Sequence, residues 1–126
     1  MPKTLLVSVV EDDRYFRESM GRLIRSLGYP VEVFSSAANF LAFPRFLETT
    51  CLISDVQMPV MSGLELHKSL VDVGHAIPTI LVTAYPNDVD RARALNAGVV
   101  CYLAKPIDQT ILTRCLREAL GFEAGS

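Results

Sequence analysis

Five short, almost unbroken apolar runs constrain this chain more than any other feature. They are Leu5 to Val10, Val31 to Phe34, Cys51 to Ser54, Thr79 to Val82 and Val99 to Leu103. A strand with one face in water alternates apolar and polar residues. Runs that stay apolar at successive positions and are rich in valine and isoleucine need cover on both faces. Segments of helical length separate the runs, so the order is strand then helix, five times over. That order implies a doubly wound parallel sheet with right-handed crossovers and helices on both sides.

The helical segments differ in strength. Phe16, Met20, Leu23, Ile24 and Leu27 make one apolar stripe, and Gly28 then stops the helix. Ile107, Ile111, Leu112, Cys115, Leu116 and Leu120 make a second stripe, ended by Gly121. Weaker patterns cover Ala37 to Phe43, with Ser36 as N-cap and Pro44 placed to break it early, Gly63 to Val71, and Val89 to Asn96 before Gly98. At 126 residues, without repeats or linker-like stretches, the chain reads as a single domain. Its ordered core is expected from about residue 3 to 121, with Phe122 to Ser126 as a frayed tail.

Composition removes several classes of function. The net charge is −2 and no basic stripe is visible, which argues against direct contact with DNA or RNA. The longest apolar stretch, Val99 to Ala104, is far short of the ~20 residues that a bilayer requires. The first residues do not have the pattern of a secretory signal, so a cytoplasmic location is expected. Cys51, Cys101 and Cys115 each lie in an apolar run without metal or disulfide spacing, and are expected as buried thiols. His67 and His75 are isolated and expected at the surface.

In an open parallel sheet, ligands bind beyond the C-terminal strand ends, where the strand order reverses. Glu11-Asp12-Asp13 follows the first run, Asp55 the third, Thr83 the fourth and Lys105-Pro106 the fifth. Singly, these are an acidic helix start, a turn aspartate and a loop dipeptide. Together they bring acids, a hydroxyl and an amine to one edge. Clustered carboxylates repel one another and call for a cation. Mg²⁺ suits hard oxygen ligands and bridges to phosphates. One carboxylate can then attack phosphorus to form an acyl phosphate, while the Lys105 amine and the Thr83 hydroxyl face the transferred oxygens.

In these residues the chain resembles the response-regulator receiver family. The resemblance rests on the acidic run, on Asp55 within Leu52-Ile53-Ser54-Asp55-Val56-Gln57-Met58-Pro59, on Met61-Ser62-Gly63, on Thr83-Ala84 and on Lys105-Pro106, all in the family's order. It covers the chain from the first strand to the last helix. It implies a flavodoxin-like α/β fold, a doubly wound five-stranded parallel sheet flanked by five helices. Asp55 would be the phosphoacceptor and a metal ligand. Asp12 would bind Mg²⁺ directly, Glu11 through water, and the backbone carbonyl of Gln57 would complete the protein ligands. Asp13 replaces Glu11 or Asp12 if the first strand ends one residue later. Thr83 and Lys105 would contact the phosphoryl group, with Lys105-Pro106 in cis, and Gln57 and Tyr85 occupy variable positions that tune phosphoryl lifetime. Tyr102 matches the family's switch aromatic, against the plainer reading of a half-buried strand tyrosine.

The implied function is a two-component phosphoacceptor switch that catalyses only its own phosphorylation and dephosphorylation. A sensor histidine kinase would be the donor. The output face would comprise the Val89–Asn96 helix, the fifth strand and the Ile107–Leu120 helix, with a second copy of the chain as a candidate partner. Met58 to Leu66 looks closest to receivers joined to a LuxR-type DNA-binding domain, leaving open a stand-alone receiver or part of a longer regulator. The rival from another class is a phosphorylation-independent pseudo-receiver used for docking. A small-molecule phosphatase would want a second acid two residues after its nucleophile, where this chain has Gln57.

Overall fold

A computed structural model describes residues 5–121. The expected tail and the first two residues of the expected ordered core lie outside them. Strands β1 (Val7–Val10), β2 (Val31–Phe34), β3 (Cys51–Asp55), β4 (Thr79–Thr83) and β5 (Cys101–Ala104) form one parallel sheet. Their order is β2-β1-β3-β4-β5, so the connections reverse direction between β1 and β3. Helices α1 (Arg14–Ser26), α2 (Ala37–Ala42), α3 (Gly63–Asp72), α4 (Asp88–Asn96) and α5 (Gln109–Ala119) alternate with the strands, with a 3₁₀ turn at Phe46–Glu48 before β3.

Side chains on successive strand positions point to opposite faces. On one face Val7, Val9, Ile53, Ile80 and Val82 meet Met20 and Ile24 of α1 and Leu112, Cys115 and Leu116 of α5. On the other, Val10 and Leu52 pack with Phe40 of α2 and Leu66 and Leu70 of α3, while Leu81 and Tyr102 pack with Ala94 of α4. Both faces are covered, as the unbroken apolar runs required.

Every helix begins on a polar side chain that accepts a hydrogen bond from the third helical amide: Asp13, Ser36, Ser62, Asn87 and Asp108. Ser62 and Glu65 form a reciprocal capping box. Helix α2 stops at Ala42 because Phe43 precedes a proline and is extended, with φ −69° and ψ 121°.

Several expectations shift. The strand expected from Val99 begins at Cys101, since the Val99 amide bonds to the Ala94 carbonyl at 3.0 Å and closes the end of α4 beside Gly98. Val99 is apolar because it is buried under that helix end, not because it pairs. Ile107 precedes α5, and Ile111 is exposed, so the buried stripe of that helix is Leu112, Cys115, Leu116 and Ala119. His67 is buried on α3, contrary to the surface position expected of it, because it shares the inward stripe with Leu66 and Leu70. Cys51 and Cys115 are buried and Cys101 is half-buried, all three as free thiols in one core. Burial pushes the Cys51 thiol up to about 12, which leaves it inert. Among the described residues no helix is long and apolar enough to cross a membrane.

Candidate functional site

The strand register sets the site. Asp55 is the last residue of β3 and pairs with Val82, one short of Thr83, which ends β4. Glu11 follows β1 directly and its amide bonds to the Phe34 carbonyl of β2 at 2.9 Å. Lys105 follows β5, and its amide bonds to the Thr83 carbonyl at 2.8 Å. The backbone ladder therefore carries acid, hydroxyl and amine to one edge, at the reversal between β1 and β3.

Carboxylate oxygens of Glu11, Asp12 and Asp55 lie within 4.8 Å of one another. Glu11 and Asp55 are buried, whereas Asp12 is exposed. Lys105 Nζ donates to Glu11 Oε1 at 2.7 Å and stands 3.6 Å from Asp55 Oδ2. One ammonium thus faces two of the three acids. Burial raises the Glu11 carboxyl to about 7, against the opposing hydrogen bond from Lys105. Burial also raises Asp55, with the Lys105 charge opposing it. Asp55 Oδ1 is buried with no hydrogen-bond partner among the described residues. An orphaned carboxylate oxygen within a cluster of hard oxygen donors, with one exposed member for entry, fits a small divalent cation such as Mg²⁺.

The open choice in the acidic run is narrowed by the helix start. Asp13 Oδ2 accepts the Phe16 amide at 2.8 Å, so that side chain caps α1, and the Asp13 amide donates to Glu11 Oε2 at 3.0 Å. Arg17 Nη1 donates to the Glu11 carbonyl at 2.8 Å, fixing the turn that aims Glu11 inward. The Lys105-Pro106 peptide is cis, and Lys105 Nζ sits 4.1 Å from the centroid of the Phe16 ring. Phe16 belongs to the expected core stripe, yet it also forms the apolar wall beside the amine, a role that periodicity does not express.

Thr83 Oγ1 donates to the side-chain Oε1 of Gln57 at 2.6 Å and accepts the Tyr85 amide at 2.9 Å. The resemblance implies a role for the Gln57 backbone carbonyl; the structure adds its side chain as the partner of Thr83. Tyr102 is fully buried rather than half-buried, its hydroxyl accepting the Asn87 amide at 3.3 Å and Arg91 lying 5.3 Å over its ring. Gly63 presses on the site from α3, its amide 3.1 Å from the Val56 carbonyl.

The description "response regulator receiver domain" matches residues 7–117. Response regulator protein TmoT of Ectopseudomonas mendocina is 36% identical over 115 residues, covering 91% of this chain and 52% of TmoT. Transcriptional regulatory protein FixJ of Azorhizobium caulinodans is 36% identical over 124 residues, covering 98% of this chain and 59% of FixJ. The crystal structure of FixJ-N superposes with a TM-score of 0.85 at 30% identity, covering 97% of this chain and 98% of that one. The chain spans about half the length of the relatives it matches.

Proposed function

The chain belongs to the response regulator receiver family, the phosphoacceptor switches of two-component systems, and from that premise we propose that Asp55 is its acceptor. The observation that carries the assignment is the geometry around Asp55: a buried carboxylate with one unpartnered oxygen, two neighbouring acids and one ammonium. Asp12, Asp55 and the backbone carbonyl of Gln57 would hold Mg²⁺, with Glu11 ligating through water. Bound there, such an ion would supply positive charge against the phosphoryl oxygens.

The chain's own residues account for the rest. A carboxylate oxygen of Asp55 forms the new bond to phosphorus as the bond from phosphorus to the donor breaks, leaving an acyl phosphate. Lys105, held by Glu11, meets a phosphoryl oxygen as a fixed positive charge. Thr83 donates its hydroxyl to another. Thr83 ends the strand beside β5, so its displacement reaches Tyr102 and, through Asn87 and Arg91, the start of α4. The output is a changed face of α4, β5 and α5, with a second copy of the chain as one candidate partner. A sensor histidine kinase is the proposed donor, the cytoplasm the proposed location, and residues 1–126 one receiver domain. A DNA-binding output module, if joined, would lie outside this chain. Its catalysis would be confined to its own phosphorylation and dephosphorylation.

A phosphorylation-independent docking module has no use for this set of acid, hydroxyl and amine in register. The deciding experiment is intact mass after incubation with acetyl phosphate and Mg²⁺. One added phosphoryl group on the wild type and none on Asp55→Asn is the expected result. No increment on the wild type, with a kinase donor as well, would overturn the reading.

A further inference from the structure

We propose that the Gln57 side-chain amide is a latch on Thr83, holding the hydroxyl that must be given to the phosphoryl group. The inference rests on Asp55 as acceptor and concerns what keeps the unphosphorylated protein off. A threonine hydroxyl has one proton to donate. Here Thr83 gives it to Gln57 Oε1 at 2.6 Å, while its oxygen already accepts the Tyr85 amide at 2.9 Å. Thr83 is completely buried, so no water competes for that proton from its own side. A phosphoryl oxygen on Asp55 can take the proton only if the bond to Gln57 breaks.

The geometry also makes the latch releasable. Gln57 is exposed, so its freed amide returns to water at little cost. It lies two residues beyond Asp55, and Thr83 is one residue beyond the partner of Asp55 on β4, so the bond spans two adjacent strand ends. The glutamine side chain is therefore a positioning residue, acting through Thr83 and separately from the backbone carbonyl proposed for the metal.

The test is calorimetric titration with beryllium fluoride, a phosphoryl mimic, in the presence of Mg²⁺. Gln57→Met keeps the side-chain length and removes the amide. It should tighten binding about two- to tenfold, the worth of one hydrogen bond that activation no longer breaks. In a Thr83→Ala background the same substitution should change nothing, because the latched hydroxyl is gone. In ligand-free Gln57→Met, NMR shifts of the Thr83 methyl and the Tyr85 amide should move. Unchanged affinity, a gain that persists without the Thr83 hydroxyl, or unmoved Thr83 and Tyr85 signals would overturn the latch. A wild-type protein that binds no beryllium fluoride would overturn the acceptor assignment instead, and the ligand-free spectra would still decide the latch.

Discussion

Replacing Gly63 by alanine should damage this fold out of proportion to one methyl group. Gly63 opens α3 and its φ is not in the left-handed region, so the backbone does not require glycine for its conformation. Space does. A Cβ there would run into the carbonyl oxygen of Asp55, and would lie 2.9 Å from Ser54 Oγ and 3.0 Å from Leu81 Cδ2. The first obstacle is backbone, which has no rotamer to yield, so the start of α3 must back away from β3 by about an ångström. Overpacking of this kind costs about 1–3 kcal/mol. Loss of the Gly63–Val56 hydrogen bond adds about 1 kcal/mol, and the better helix propensity of alanine returns about 1 kcal/mol. The last two cancel, so the net is about 1–3 kcal/mol, a sizeable part of the 5–15 kcal/mol typical of a domain. The comparison is Gly74→Ala, where φ is +80° and nothing lies within 4 Å of the added carbon, so conformational strain alone applies, at about 1–2 kcal/mol. Urea denaturation followed by circular dichroism should rank Gly63→Ala below Gly74→Ala, with similar m-values. A Gly63→Ala protein within about 0.5 kcal/mol of the wild type would refute the reasoning.

Two further predictions concern other strained or buried groups. Val60 is exposed with φ +71°, a conformation costly for a β-branched residue, so Val60→Gly should raise stability by about 0.5–1 kcal/mol in the same denaturation assay. A destabilised variant would show that the strain is worth less than the backbone freedom that glycine gives the unfolded chain. Burial holds the His67 imidazole below its usual range, so the unfolded chain takes up the proton first as pH falls. That stability is complete above about pH 6.5 and is lost below it, by at most about 1.4 kcal/mol per pH unit, until the folded pKa is reached. His67→Leu should remove this part of the slope between pH 7.5 and 5.5, and equal slopes in the two proteins would show that His67 does not carry it.

What could be read from the chain before folding was whatever a local pattern expresses. Apolar runs gave the strands to within two residues, and glycines at 28, 98 and 121 marked where helices stop. That Asp55, Thr83 and Lys105 come to one edge was legible because parallel sheets place strand ends together. Less legible was anything that depends on which of two neighbours turns inward. Asp12 and Asp13 are chemically identical in sequence, and only the capping bond to Phe16 separates them. His67 was misplaced because an isolated polar residue within a weak helical pattern carries no sign of its direction. The bond from Thr83 to Gln57 joins residues 26 positions apart, and no spacing rule connects an exposed glutamine to a buried threonine. Gly63 stood out in a motif, but the carbonyl that excludes its side chain is a fact of packing.

Helix α4 differs from the other helices in how little holds it. It buries only Ala94, whereas α1, α3 and α5 each bury at least three residues, and α2 buries Ala37 together with the large ring of Phe40. One methyl group is a weak anchor, so the ties at its N-terminal end, from Asn87 and Arg91 to Tyr102, carry much of its attachment. So lightly anchored, α4 is expected to open at less free energy than unfolds the sheet, a difference that hydrogen exchange of its amides would read. A rigid frame with one slackly moored helix separates two demands that usually conflict: the frame can be as stable as selection makes it while the helix stays within reach of thermal motion. Enlarging the fully buried Ala94 would not fasten the helix but push it off Leu81 and Tyr102, so its light mooring is set by the size of that one side chain.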